Sequence, residues 1–358
     1  MQTRLVWTIG ILLVLGLVML SSAGIMDGQK KFGSPYYYLK HQLLFGVLPG
    51  LVLAWFLSRI NYRFWRGTSW LVLFGALTLM ILVFTPKFGV TLNGARSWLS
   101  IGGYVFQPAE FLKLGLIIYL AAWCGERDER VKNWTYGILP FVLVMGFVAL
   151  LLLLQPDLGT FILVAAIALG VYFIAGVHLK DLIVIISIAF ILVGGMILVQ
   201  PYRLDRIKAF LNPSVDPRGI SYQLNQSFIA IGSGGVFGVG YGNSTQKSGF
   251  LPEPVGDSIF AIIVEELGLV GAGFTIGLFL FLAFTLASIA KATSDAFGRL
   301  FVMGMNIWIV GQALVNIAAI TGLAPLTGVP LPFISYGGTA LVSLLAGLGI
   351  VFNIAKRV

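Results

Sequence analysis

A single cysteine, Cys124, leaves the chain without a disulfide framework or a CxxC site. Only two histidines occur, His41 and His178, each isolated in sequence. Zinc chemistry of the His/Cys type therefore has too few ligands, and each imidazole reads as a packing or interface group. No Walker loop is present, so nothing in the chain is built to hydrolyse a nucleotide. Charge is scarce as well: Asp, Glu, Lys and Arg make up 10% of the residues, against roughly 25% in soluble domains. No internal repeat is visible, which argues against the inverted-repeat transporter plans.

What fills the space is apolar. Hydrophobic residues make up 58% of the 358 positions, in blocks long enough to cross a bilayer, which takes ~20 helical residues. Spans are expected near 5–24, 41–60, 68–85, 108–124, 136–155, 157–177, 181–199, 267–290, 300–321 and 336–355. The expected fold is an all-α polytopic membrane bundle of about ten helices, one integral domain over 1–358, with a long outer loop at 200–256 before the eighth span. Arg4 followed by an apolar run and Ser21-Ser22-Ala23-Gly24 resembles a cleavable signal, but the run is nearer a full span than a 7–15-residue signal core.

An even number of spans puts both termini on one side. That side carries twelve basic residues, including Arg59, Arg63, Arg66, Arg127, Arg130 and Lys132, against five on the other: Lys30, Lys31, Lys40, Lys87 and Arg96. The positive-inside rule then places both termini in the cytoplasm. The net charge of +9 is mostly this topology signal and implies no nucleic-acid partner.

The long loop contains Gly232, Gly234, Gly235, Gly238, Gly240 and Gly242. So many glycines make a stable lipid-facing helix unfavourable. They leave either a packed re-entrant turn or a backbone cradle for a diphosphate. Pro325, Pro330 and Pro332, followed by Gly337-Gly338, interrupt helical structure between the last two spans. This stretch reads as a cavity wall or as a stiff turn.

The carboxylates point to one end of the bundle. Glu126, Asp128, Glu129, Asp181 and Asp295 lie beside basic residues in inner loops and read as solvated charge. Glu110 and Lys113 stand three apart near the outer start of the fourth span, on one helix face. Charges in that position face a cavity or form a buried pair that fixes packing. Arg96 and Trp98 lie just upstream, where a headgroup anchor and a phosphate contact are both open to them. Asp257 opens an apolar segment after a Pro-Val-Gly turn. A helix cap is one role for it. With no histidine nearby in sequence, it is also the natural outer-face general base.

The segments ARSWLSIGGYVFQPAEFLKL, QPDLGT, FLNPSVDPRGISYQLNQSFIAIGSGG, LPEPVGDSIFAIIVEELG and GVPLPFISYGG occur in this order. Together they resemble the SEDS family, the FtsW/RodA glycosyltransferases. YYYLKHQ and TQKSGFLPEP lean toward the FtsW branch. The resemblance implies a peptidoglycan glycosyltransferase that polymerises lipid II on the outer face of the cytoplasmic membrane, releasing undecaprenyl diphosphate. It further implies a class B penicillin-binding protein as partner, within membrane lipid. By residue, the resemblance puts the catalytic aspartate on Asp257, its supporting pair on Glu110 and Lys113, and its motif arginine and tryptophan on Arg96 and Trp98. Arg96, Lys113, Arg203, Arg206 and Lys247 are candidates for receiving the diphosphate. A divalent cation, Mg or Mn, is compatible with Asp257, Glu253 and substrate oxygens as ligands.

The chain departs from the family pattern at Val255-Gly256-Asp257-Ser258, where members commonly have His-Thr-Asp-Phe, so any contact of that histidine does not transfer. Ala109 and Thr339-Ala340 depart similarly from QPSE and GGSS. Two other functions compete: a transporter or flippase of lipid-linked precursor, and a non-catalytic scaffold for a penicillin-binding protein. Charges gathered at one face, rather than spread through the membrane depth, favour surface chemistry over passage.

Overall fold

The computed structural model describes all residues except 93–94, 126–130, 200 and 215, and describes no side chains for 92, 192–193, 196–199 and 201–203. The expected inner-loop charges Glu126, Arg127, Asp128, Glu129 and Arg130 therefore lie outside the described residues.

The chain begins with α1 (Gln2–Ala23) and the short α2 (Ile25–Phe32). A second apolar rod is α3 (Tyr37–Gln42), a π turn (Leu43–Val47) and α4 (Leu48–Leu57). Next come α5 (Arg63–Gly67), α6 (Ser69–Leu82), a small sheet, α7 (Pro108–Gly125), a π turn (Trp134–Ile138) leading into α8 (Leu139–Leu154), and α9 (Leu158–Ile174). The rest is α10 (Leu179–Val199), α11 (Pro201–Leu211), α12 (Tyr222–Gly234), α13 (Ile259–Ala292), α14 (Ala296–Ile320) and α15 (Gly338–Ala355).

Among the described residues, seven of these rods are long and apolar enough to cross a membrane: α1, α3–α4, α7, the α8 rod, α13, α14 and α15. The apolar α6 and α9 are shorter, and α10 coincides with the remaining expected span. Outward faces carry Trp7, Trp55, Phe74, Phe190 and Phe284, all exposed. So much apolar surface is a liability in water and suits contact with lipid, where each helix satisfies its own backbone hydrogen bonds.

The bundle is centred on α7, which packs on α6, α9, α14 and α15, while α13 lies along α1, α12 and α14. Leu112, Leu116, Ile117 and Ala121 of α7 are fully buried, as are Phe301, Met305 and Ile309 of α14.

Two features sharpen the sequence expectation. The first is a three-stranded antiparallel sheet in the 86–107 loop: β1 (Gly89–Leu92), β2 (Ala95–Ile101) and β3 (Tyr104–Phe106). Ile101 pairs with Tyr104 across Gly102-Gly103, whose φ values are +60° and +84°. Those angles suit a two-residue hairpin turn that favours glycine. The fold is the expected helical membrane bundle, with this one small sheet in an outer loop added to it.

The second concerns the glycine-rich run. Helix α12 continues through Gly232 to Gly234, and the chain then turns back against α13 at Gly268. Gly268 has φ 67° and ψ −165°, a conformation essentially confined to glycine. It splits α13 into a short leading segment and a full span that covers the expected 267–290. The amides of Val239 and Gly240 bond to the carbonyls of Glu265 and Glu266, and Leu269 and Val270 bond back to Gly235 and Val236. These reciprocal bonds make the run a packed re-entrant turn, with the Val239 and Gly240 amides directed at protein rather than at a diphosphate.

Candidate active site

The starts of α7, α13 and α15 and the end of α14 meet at one end of the bundle, with the loops 250–258 and 321–337 between them. Each loop contains a non-glycine residue at positive φ, Glu253 at 49° and Phe333 at 66°. Such backbone costs ~1–3 kcal/mol per residue and is kept only where surrounding contacts over-determine it.

Those contacts can be traced. Ser335 Oγ donates to the Gly256 carbonyl at 2.6 Å and accepts from the Leu331 amide at 2.8 Å. The Tyr336 amide donates to the Val255 carbonyl at 2.8 Å. From the α3–α4 rod, Gln42 accepts the Gly337 amide at 3.0 Å, and His41 Nδ1 lies 3.0 Å from the Tyr336 hydroxyl. His41 is thus an interface group, as its isolation in sequence implies.

Asp257 is fastened within this frame. Its carbonyl accepts from Asn316 Nδ2 at 2.7 Å, and its Oδ1 accepts from Gln223 Nε2 of α12 at 3.2 Å. Asn316 also donates to the Val329 carbonyl at 2.8 Å. Arg206 donates to the Leu326 carbonyl at 2.7 Å. A methyl group built on Gly328 would lie 3.9 Å from Asp257 Oδ2 and 4.0 Å from Arg206 Nη1, so carboxylate and guanidinium border the same small space. Burial pushes the Asp257 carboxyl up to about 6, and the Glu253 charge pushes the same way, while Gln223 and Arg206 pull it down. The carboxyl therefore titrates close to neutral pH, the range suited to exchanging a proton with substrate.

Glu110 and Lys113 form a separate, buried pair, 3% and 1% exposed. Lys113 Nζ stands 2.8 Å from Glu110 and donates to Gln312 Oε1 at 3.1 Å, and its charge lies 5.0 Å from the centre of the Trp308 ring. Gln312 Nε2 in turn donates to the Pro330 carbonyl at 2.8 Å. One turn further along α14 is Asn316, which holds Asp257. The two centres are therefore joined through one helix face. Beside Glu110 and Gln312, under Pro330 and Ser335, lies a void of about 10 Å³, space for one water at most.

Other expected site residues lie elsewhere. Arg96 donates to the Thr85 carbonyl at 3.0 Å, and Trp98 pairs with Val90 in the sheet. Lys247 is buried, 2.6 Å from Glu266 Oε1 and 2.7 Å from Ser22 Oγ. No described contact brings Arg96, Trp98 or Lys247 to Asp257. The side chain of Arg203 lies outside the described residues. Lys247 belongs to a second buried charged cluster, in which Glu265 accepts from the Ser244 hydroxyl and from the amides of Thr245 and Gln246.

Gln223, Gln312 and Asn316 were not anticipated from sequence. Gln312 and Asn316 did carry a signal: two amides four residues apart in an otherwise apolar helix share one face and need buried partners. Gln223 had none, because only the folded re-entrant helix brings it to Asp257.

Fold and site together define a helical, multi-pass membrane protein with a polar, strained centre at one end of its helices. The chain belongs to the FtsW/RodA/SpoVE family: that family's model, described as a cell cycle protein, matches residues 3–358. Stage V sporulation protein E of Bacillus subtilis is 36% identical over 346 residues, 97% of this chain and 94% of that one. A probable peptidoglycan glycosyltransferase FtsW of Trichlorobacter lovleyi is 40% identical over 340 residues, 95% and 89% of the two chains. Among solved structures, a chain from work on the structural coordination of polymerization and crosslinking by a peptidoglycan synthase complex superposes with a TM-score of 0.81. That chain is 29% identical, with 99% of this chain and 97% of that one covered. The rod shape determining protein RodA of Thermus thermophilus gives a TM-score of 0.71 at 29% identity, covering 99% and 96%.

Proposed function

We propose that the protein is an inverting peptidoglycan glycosyltransferase that polymerises lipid II on the outer face of the cytoplasmic membrane. In this reading ten spans cross the membrane, both termini are cytoplasmic, and the end carrying Asp257 faces outward. The observation that carries it is Asp257 itself, a carboxyl raised to about 6, fixed through Asn316 and Gln223 and facing Arg206 across Gly328.

The Asp257 carboxylate takes the proton of the acceptor sugar's 4-hydroxyl. The freed oxygen attacks the donor's anomeric carbon from the face opposite the diphosphate, forming the new glycosidic bond as the old C–O bond breaks. Undecaprenyl diphosphate departs with the electron pair, and Arg206 stabilises its growing negative charge. Glu110 and Lys113 act through Gln312 on the proline loop, so their role is to hold the centre in place. No three His, Cys, Asp or Glu side chains cluster as a metal site among the described residues. Asp257 and Glu253 alone do not make a protein-built centre; a cation would draw most of its oxygen ligands from diphosphate and water, and no step is assigned to one. A class B penicillin-binding protein, the transpeptidase that crosslinks such strands, is the expected partner.

Transport of lipid-linked precursor is the competing function. The test is purified protein with its penicillin-binding partner and lipid II, read as a glycan ladder for wild type, Asp257→Ala and Glu110→Gln. The polymerase reading expects no ladder from Asp257→Ala. An undiminished ladder from that variant removes Asp257 from the chemistry. Lipid II movement across vesicles, abolished by Glu110→Gln with no ladder from wild type, establishes the transporter instead.

A further inference from the structure

Helix α12 presents two sets of polar side chains. Gln223 turns to Asp257 and also donates to Ser258 Oγ at 3.1 Å. Tyr222 and Gln226 instead line a groove of about 720 Å³ between α12 and the segment after α11. Ligand sites commonly span ~300–1,000 Å³. Asn212, Arg218, Asn225 and Phe228 complete the part of the lining that bears on its chemistry.

The groove is open and preorganised. Asn225 Nδ2 donates to the Pro213 carbonyl at 3.0 Å, which ties the segment to the helix. The side chains of Tyr222, Gln226 and Arg218 have no hydrogen bond or ion pair among the described residues. Among the described residues, Arg218 is the one cation lining the groove. Two residues before it, the carboxylate of Asp216 accepts the amides of Gly219 and Ile220, so this part of the chain is close to neutral.

We propose that this groove binds a neutral, N-acetylated saccharide strand and holds it beside the reaction centre; the assignment rests on the glycosyltransferase reading above. Side-chain amides and a guanidinium each offer paired donors, and the amides offer acceptors too, which matches ring hydroxyls and N-acetyl groups. The Tyr222 and Phe228 rings offer flat apolar faces for the C–H face of a pyranose. A diphosphate would call for several cations, and here one cation stands near a carboxylate. An isoprenoid chain would cover the Gln226 amide without giving it a partner, at a cost of ~1–3 kcal/mol. Gln223 and Gln226 are one helical turn apart, about 5–6 Å between β-carbons. A sugar on Gln226 is therefore adjacent to the side chain that holds Asp257.

The test uses the full-length protein in detergent and the β-1,4-linked tetramer of N-acetylglucosamine, followed by saturation-transfer NMR of the N-acetyl methyls. Wild type is expected to bind, and Gln226→Ala and Arg218→Ala to bind at least ~10-fold more weakly, the loss of one good hydrogen bond. Arg218 is exposed, so its substitution leaves folding intact. On lipid II, both variants are expected to give strands several-fold shorter than wild type. No binding by wild type, equal binding by the variants, or displacement of the tetramer by farnesyl diphosphate overturns the saccharide assignment. If wild type polymerises lipid II without binding the tetramer, the groove fails and the polymerase stands. If the variants lose tetramer binding while wild type makes no polymer, the groove stands and the polymerase fails.

Discussion

Asp257 lies between a carboxylate that raises its proton affinity and a guanidinium that lowers it. Because burial holds its folded pKa above the ordinary aspartate value, the folded state binds this proton more tightly than the unfolded chain does. The associated stability is fully present below the unfolded pKa and is lost as pH rises through about 6. Asp257→Asn, which has no such charge, should therefore melt higher than wild type at pH 7.5, with the difference vanishing as pH falls from 6 toward 4. A thermal-melt series across that range checks it. The Glu110–Lys113 pair behaves differently, because both partners are buried. Lys113→Met leaves a carboxylate without its cation and should cost about 3–5 kcal/mol. Adding Glu110→Gln should recover part of that loss, measured as the coupling in a double-mutant cycle.

At the scale of elements, the centre depends on broken helices more than on whole ones. The kink at Gly268 lets the leading segment of α13 carry Glu265 and Glu266 into the Lys247–Ser22 cluster while the remainder spans. A β-carbon on Gly268 would clash with the Val236 carbonyl oxygen and force an unfavourable φ. Gly268→Ala should destabilise by at least about 1–3 kcal/mol and loosen the 235–257 loop, seen as faster amide exchange at Val239 and Gly240. The rods themselves were legible in sequence, since runs of apolar residues near twenty long have few alternatives to a spanning helix. The sheet was not, although Gly102-Gly103 between short alternating segments carried a hairpin signal. The exact end of α12 was not legible either: Gly232 and Gly234 stay helical, with Gly234 packed against the Val264 carbonyl, where a side chain would not fit. Sequence propensity contains no such neighbour.

For the whole molecule, Asp257 and the Glu110–Lys113 pair were readable as charges out of place in an apolar chain. Their connection was not, because it runs through Gln312, Asn316 and the carbonyls of a proline loop far away in sequence. Lys247 shows the converse. Its charge in an outer loop suggested a diphosphate contact, yet Glu266 and Ser22 already occupy its ammonium. The proposed orientation of the bundle rests on charge bias alone and is open to direct test. In a Cys124→Ala background, a cysteine at Lys356 should react with impermeant maleimide only after the membrane is opened, and one at Phe237 in intact cells. The reverse pattern would turn the site inward.

The proposed chemistry requires proton transfer by Asp257. The most direct measurement is the pH–rate profile of lipid II polymerisation by wild type and Asp257→Asn. The expected result is a wild-type rate that falls about tenfold per unit below a limb near pH 6, and no polymer from Asp257→Asn at any pH. A variant that polymerises at the wild-type rate, or a wild-type profile flat from pH 5 to about 7.5, would contradict it.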